Sequence, residues 1–287
     1  MPSLRDVRRR IRSVENTQKI TKAMQVVSAT RLRRAQQAVQ ATRPYADKMR
    51  EVLETTAERA TEYRHPYLQP REGNRALVIL ITSDQGLAGA LNTNTIRAVN
   101  QRLRQRHDNQ ARFVAIGRKG RDYLARYRRD LVAEVTGLRD RPGVASVLPA
   151  VRAALDEFDQ ERADVVLLAY ARWVSTLRQE PEIRTLIPVE IPDEIPDHVS
   201  ADYLYEPDPE TVLDALLPRY IETQVYEALL ENQASFHSAR MIAMQNATNA
   251  AADLIKDLTL TANKVRQETI TTELMEIIGG AEAARSA

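Results

Sequence analysis

The sequence predicts two long helices, one from each end of the chain, which pair as an antiparallel coiled coil, with an α/β domain inserted between them. Glycine is absent from residues 1–72 and 144–278, whereas seven of the nine glycines fall between positions 73 and 143. Strong helix formers occupy both ends almost throughout, and short apolar runs alternate with helical segments in the centre. Turn-rich structure is therefore expected only in the middle of the chain.

The N-terminal helix is predicted over residues 1–60. Its apolar stripe begins with residues spaced three and four apart: Leu4, Val7, Ile11 and Val14. Polar residues follow Val14, and we expect the stripe to resume in another phase at Ile20, Met24 and Val27. This pattern is typical of a weak coiled-coil zipper.

The central domain is predicted over residues 75–192. Four apolar runs indicate strands: Ala76 to Ile81, Phe113 to Ile116, Leu131 to Val135 and Val165 to Ala171. Helices are expected between them at 91–104, 121–129 and 147–158. Strands that alternate with helices favour a Rossmann-like α/β sheet. Six prolines between positions 181 and 209 then exclude a continuous helix and predict a connector, with its acidic part at 193–209.

The C-terminal helix is predicted over residues 210–287, with Pro218 producing a local kink near its start. Its seam repeats with spacings of four and three, and five of its nine members are Ala or Thr: Met244, Thr248, Ala251, Ile255, Leu258, Ala262, Val265, Thr269 and Thr272. Small side chains let two helices approach closely while burying little surface in each layer.

Charge is strongly segregated although the whole chain carries only +2. Residues 1–43 carry a net +9, and residues 191–232 carry a net −10. Mutual neutralisation of the paired helices is one explanation, and a nucleic-acid-binding basic helix is another. The absence of cysteine excludes disulfides and thiolate chemistry, and the apolar runs are too short to span a bilayer.

Motifs for catalysis are missing from the sequence. It contains neither a phosphate-binding P-loop nor a G-x-G-x-x-G dinucleotide motif, and its four histidines show no metal-ligand spacing. We therefore predict no catalytic residue, no cofactor and no metal. Glycine pairs at Gly86/Gly89 and Gly117/Gly120 follow the first two strands, which leaves a cryptic phosphate site as an alternative.

Four segments carry a resemblance to a known family. They are ENTQKITKAMQVVSATRLRRAQ from Glu15, SDQGLAGALN from Ser83, YLYEPDPETVLDALLPRY from Tyr203, and the region from Ser238 to Ala283. In this order they closely resemble the gamma subunits of F-type proton-translocating ATP synthases, over roughly the full length. The pattern I-T-x-E-x-x-E-x-x-x-G-A-x-A, from Ile270 to Ala283, is similar to that family's signature.

The resemblance implies a non-catalytic rotor shaft, present in one copy per complex, that couples rotation of a proton-driven c-ring to ATP synthesis or hydrolysis. Its implied partners are the alpha and beta subunits of a hexameric collar, the epsilon subunit and the c-ring, with no nucleic acid. Five residues match the family's collar contacts: Met24, Arg240, Gln267, Thr271 and Glu273. Two match the foot on the c-ring, Tyr203 and Glu206, and ordinary packing or solvation remains the alternative for Met24 and the foot.

Several positions depart from the family pattern: Gln85, Ala88, Phe236, Ala262 and Lys264. The resemblance places Arg and Cys at the first two, Glu at the third, and Tyr and Arg at the last two. Because the family pattern starts within the first twenty residues, it implies a bacterial plasma membrane location, peripheral and on the cytoplasmic side, rather than an organelle.

Overall fold

The computed structural model describes residues 3–60, 63–105, 111–191 and 205–286. The α-helices are α1 (Leu4–Arg59), α2 (Leu91–Gln105), α3 (Arg118–Arg126), α4 (Leu148–Asp159) and α5 (Pro209–Ser286). The strands are β1 (Ala76–Ile81), β2 (Arg112–Ile116), β3 (Asp130–Val135), β4 (Val165–Trp173) and β5 (Gln179–Ile187). Short 3₁₀-helices cover Pro66–Leu68 and Val144–Ser146. Two long terminal helices around an α/β sheet confirm the predicted fold class.

The chain forms two compact units. One comprises Met1–Val27 with Met241–Ala287, and the other comprises Ser28–Arg240. The second unit contains the five-stranded sheet, in the order β3-β2-β1-β4-β5. The first four strands are parallel, and β5 joins β4 in antiparallel register. The chain therefore reverses direction across the sheet between the neighbouring strands β1 and β4.

Alternate residues of β1 serve opposite faces of the sheet, as the two-residue period of a strand requires. Leu77, Ile79 and Ile81 point into a core that also contains residues of α1, α4 and α5. Ala76, Val78 and Leu80 point into a second core, which contains residues of α2 and α3. Both faces are covered, which explains why β1 is an unbroken apolar run.

Within the second unit, α5 contributes a continuous buried face to the first core: Leu213, Leu217, Ile221, Val225, Ala228 and Leu229. These residues recur every three to four positions and have exposed fractions near zero. Burying each Leu, Ile or Val contributes about 1.5–3 kcal/mol. The C-terminal helix is thus an integral part of the α/β core in this unit.

The predicted phase change in the N-terminal stripe is wrong. Burial on α1 continues after Val14 with the same spacings of four and three, through Gln18 and Thr21. Ile20 and Val27, which the prediction placed in the seam, are 60% and 50% exposed. Thr21 continues the register because its hydroxyl bonds with that of Thr248 across the helix pair, which an apolar pattern alone does not reveal. On α5 the predicted seam holds from Met244 to Val265, whereas Thr269 and Thr272 are exposed.

The prediction of a connector from Pro181 onwards is also wrong at its start. Residues Gln179–Ile187 form β5, and Pro181 lies opposite Ala171 in the antiparallel register. Proline is tolerated there because β5 is an edge strand, whose outer amides need no partner. The acidic segment 193–209 lies largely outside the described residues, up to position 204.

The glycine pair after β2 allows close packing. Gly117 has φ +101°, and a Cβ atom there would lie 2.1 Å from the Thr82 carbonyl oxygen. The turn's amides already have acceptors: Gly117 donates to Val135 O, Lys119 to Ser83 O, Arg118 to Asp84 Oδ1 and Gly120 to Thr82 Oγ1. Since these four amides are used within the chain, the glycines serve packing, and the cryptic phosphate site gains no support.

Gly117→Ala is expected to destabilise the chain by about 2–4 kcal/mol, because alanine both clashes with Thr82 and disfavours positive φ. Gly143→Ala is the matched control. At Gly143 φ is −88° and a Cβ atom would meet open space, so a change within about 1 kcal/mol is expected. Urea unfolding followed by circular dichroism measures both, and equal losses would contradict this packing role.

Candidate functional site

The unit formed by residues 3–27 and 241–286 has a polar layer in its helix seam. The Thr21 and Thr248 hydroxyl oxygens lie 2.8 Å apart, and the Gln25 amide donates to the Gln245 side-chain oxygen. Thr248 also donates to the Met244 carbonyl at 2.8 Å. A polar layer fixes the register of two helices but stabilises their pairing less than an apolar one.

The predicted collar contacts on α5 are exposed. Gln267 and Thr271 are one turn apart, and the Thr271 hydroxyl donates to the Gln267 carbonyl at 2.9 Å. Residues four apart share a helix face, so these two side chains form one surface. Glu273 is also exposed, but at 100° per residue it points away from Thr271. The structure therefore joins two of the three residues on one face.

Met24 is half-buried in α1, and its neighbours suggest a further contact surface. Ile20, Val26 and Val27 are apolar yet at least half exposed. The sequence prediction placed Ile20 and Val27 in the buried seam, so their exposure was not expected. Continuing the spacing of Val7 and Val14 through polar positions would have predicted that both are exposed. Near the other chain end, Leu274, Met275, Ile277 and Ile278 are 54–68% exposed. Each of these two groups of exposed apolar side chains is a candidate for contact with another protein.

Arg240 belongs to the other compact unit, unlike the remaining predicted collar contacts. Its Nη1 donates to Gln85 Oε1 at 2.5 Å, and its guanidinium carbon lies 5.7 Å from the centre of the Phe236 ring. Burial and the neighbouring Arg31 lower the pKa of Arg240. This side chain therefore connects α5 to the loop that follows β1.

That loop forms part of the crevice where α/β sheets usually bind ligands. Such sites lie beyond the carboxyl ends of the strands, at the point where the chain reverses direction across the sheet. Asp84 links the loops at the carboxyl ends of the strands: its Oδ1 accepts from the Arg118 amide at 2.8 Å, and its Oδ2 accepts from the Leu138 amide at 2.9 Å. The loops after β1, β2 and β3 are thereby held together.

Helix α5 fills the same crevice. Asn232 Oδ1 accepts from the Ala171 amide at 3.2 Å, and Phe236 packs against Ala88, Leu91 and Ala171. A cavity of about 60 Å³ remains, lined by Arg31, Asp140, His237 and others. This volume suits a few water molecules, whereas ligand pockets measure about 300–1,000 Å³.

His237 is a second group in this region whose pKa is shifted, after Arg240. Its ring is buried, and Nδ1 has no hydrogen-bond partner among the described residues. Burial lowers the pKa of His237 to about 4, and Arg31 and Arg240 lower it while Asp140 opposes them. The imidazole is therefore neutral at pH 7, and charging it in place costs free energy.

The predicted foot residues are Tyr203 and Glu206. Glu206 is exposed, and Tyr203 lies outside the described residues. Across the described ranges, no His, Asp or Glu cluster is placed to hold a metal ion. Among the described residues, no helix is both long and apolar enough to cross a membrane.

Comparison with known proteins shows to which family this chain belongs. A family model described as ATP synthase matches residues 3–284. A curated ATP synthase gamma chain from Herpetosiphon aurantiacus is 47% identical over 293 residues, covering 99% of each sequence. The chain belongs to the ATP synthase gamma chain family. Another member, from Chloroflexus aurantiacus, is 44% identical over 291 residues and 100% of both sequences.

The fold of this gamma chain family member is similar to that of chains in solved mitochondrial ATP synthase structures. A chain of the Euglena gracilis mitochondrial ATP synthase, in the structure of its OSCP/F1/c-ring in rotational state 3, matches with a TM-score of 0.69. The match covers 99% of this chain and 95% of that one, at 19% identity. A second chain, from the rotor of the same complex, matches with a TM-score of 0.65.

Neutral burial of His237 predicts a specific loss of stability in acid. The folded-state pKa lies below the ordinary value, so the full stability is present above about pH 6.5 and is lost as the pH falls towards 4. His237 alone should account for about 3 kcal/mol of this loss. Urea unfolding of the native chain and of His237→Gln at pH 7 and pH 4 measures it. An identical pH dependence in both proteins would contradict the buried neutral histidine.

Proposed function

We propose that this chain is the central rotor shaft of a bacterial F-type ATP synthase. In this role it turns with a ring of c subunits and changes the nucleotide sites of beta subunits in an alpha–beta collar. The single observation that carries the proposal is membership of the gamma chain family over essentially the whole sequence. The shaft itself supplies no catalytic residue.

The collar contact is assigned to the unit formed by residues 3–27 and 241–286. Gln267, Thr271 and Glu273 are exposed polar groups on α5, and Met24 lies on α1 beside the exposed Ile20 and Val27. Exposed apolar groups near Met275 form a further exposed surface on α5. Polar contacts would transmit force at defined angles, while the apolar groups would provide a bearing without deep anchoring. Arg240, which belongs to the second unit, is also assigned to contact with the collar.

Coupling in such a machine depends on differences between contacts. A rotor shifts the conformational equilibrium of a beta subunit only as far as its contact free energy differs between the conformations. Coupling free energies of this kind are typically about 1–3 kcal/mol, which corresponds to about 5- to 150-fold in an equilibrium constant. An asymmetric pair of helices gives each of several surrounding subunits a different surface.

The remaining partners are assigned to the second unit. Tyr203 and Glu206 are proposed to contact the c-ring. This contact requires the acidic segment to be accessible, and Glu206 is exposed. The α/β domain is proposed to bind the epsilon subunit. With these partners the chain would lie at the cytoplasmic side of a bacterial plasma membrane, peripheral to the bilayer and in one copy per complex.

The test is reconstitution with alpha and beta subunits from the same source. The chain alone should be inert, and the assembled complex should hydrolyse ATP. Replacing Gln267, Thr271 and Glu273 together by alanine is expected to reduce hydrolysis by at least about fivefold, because contacts to the collar are lost. ATP turnover by the chain alone, or failure to bind the alpha–beta complex, would overturn the proposal.

A matched control separates specific contacts from general damage to α5. Lys256, Asp257 and Thr259 are exposed on the same helix, and their triple alanine variant should retain hydrolysis close to that of the native chain. Similar loss in both variants would mean that the three assigned residues have no special contact role.

A further inference from the structure

Five arginines converge at the amino edge of the parallel sheet, opposite the crevice filled by α5. Each of the first four strands is preceded or opened by at least one of them. They line a cavity of about 460 Å³ and are Arg75 before β1, Arg112 at the start of β2, Arg128 and Arg129 before β3, and Arg162 before β4. Because the strands are parallel, their starts meet at one edge, so arginines distant in sequence become neighbours.

Buried carboxylates hold three of these guanidinium groups in place. Asp164, which is 3% exposed, accepts from Arg75 Nη2 at 2.5 Å, from its Nε at 3.0 Å and from its backbone amide at 2.9 Å. Glu157 is also 3% exposed; it accepts from Arg162 Nε at 2.9 Å and from Arg112 Nη1. The carboxylates lie behind the cations, so the guanidinium groups are fixed while part of each stays exposed.

Arg128 and Arg129 differ from the other three arginines in their side-chain contacts. Within the described ranges, neither side chain has a hydrogen bond or an ion pair. Arg128 has φ +49°, a left-handed conformation that usually selects glycine or asparagine, at the turn that follows α3. Arg128 is exposed and Arg129 is half-buried. Two cations without a counter-charge among the described residues, beside three fixed guanidinium groups, create a local positive potential that attracts an anion.

We propose that the amino edge of the sheet binds phosphate groups. The unpaired guanidinium forks of Arg128 and Arg129, together with the unused N–H groups of Arg75 and Arg112, match the oxygens of a phosphate, a geometry that lysine side chains do not offer. The cavity volume suits two linked phosphates or a phospholipid headgroup. Among the described residues that line the cavity, Asp130 is the acidic one, and it pairs with Arg112 at 2.9 Å. Asp130, Asp164 and Glu157 together balance three of the five arginines, so the charges of Arg128 and Arg129 remain for an anion. The site is independent of the shaft function proposed above.

The first arm of the test uses the full chain and pyrophosphate. Isothermal titration should show binding to the native chain, and Arg128→Asn with Arg129→Gln should weaken it by at least about tenfold, because two charge-assisted contacts are lost. Asparagine at 128 suits positive φ, so the variant should keep its melting temperature. The charge-matched control replaces Arg8 and Arg10 by Gln, both exposed in the basic N-terminal helix.

The second arm distinguishes the source of the phosphate. Flotation with phosphatidylglycerol vesicles, compared with phosphatidylcholine vesicles, should show binding that is lost in the Arg128/Arg129 variant if a lipid headgroup is the ligand. Pyrophosphate binding without vesicle binding would identify a soluble phosphate instead, and either result supports the site. Absence of both, or equal loss in the Arg8/Arg10 control, would overturn the proposal by showing that only diffuse charge is involved.

Discussion

The packing of α5 against the sheet is the interaction on which the larger unit depends. One face of the sheet is covered by α4 together with the terminal helices, and α5 alone supplies six aliphatic residues to that core. The same helix satisfies the buried Ala171 amide through Asn232, and Ser238 Oγ donates to the Thr176 carbonyl at 2.6 Å. An unpaired buried amide would cost about 1–3 kcal/mol. Without α5, the sheet would lose both a core face and the partners of its carboxyl edge.

This arrangement explains how an α/β sheet serves a mechanical role. The crevice that binds nucleotides in many α/β proteins holds Asn232, Phe236 and His237 of the chain's own helix. The glycine turn at Gly117 uses its amides for internal bonds, so the helix terminus that could hold phosphate is already occupied. A sheet fixed in this way to a long helix can pass force from partner contacts on the domain to that helix.

Much of the fold can be predicted from the sequence, because a parallel strand that is buried on both faces is an unbroken run of apolar residues. The bounds of β1 were predicted to the residue, since all six of its side chains are buried. Strand β5 was missed because the six prolines between 181 and 209 favoured a connector, and only pairing with β4 identifies the segment around Pro181 as an edge strand. The seam beyond Val14 was misassigned because Thr21 and Gln25 are held by hydrogen bonds across the helix pair.

The candidate site was less predictable than the fold, because its residues come together only through tertiary contacts. The resemblance supplied Gln267 and Thr271, but no pattern in the sequence distinguishes their exposed face from any solvated helix surface. The contact of Arg240 with Gln85 joins residues 155 positions apart, and the arginines of the amino edge meet only once the strands align. Such groupings depend on sheet order, which apolar periodicity does not specify.

Helix α5 and the sheet of the larger unit form one cooperative structure. Native-state hydrogen exchange of the full chain tests it most directly, by comparing the Ala171 amide with the amides of residues 221–238. Both sets of amides are expected to exchange through the same global unfolding, with equal opening free energies and equal dependence on denaturant. Exchange of residues 221–238 at low denaturant while the Ala171 amide stays protected would contradict it.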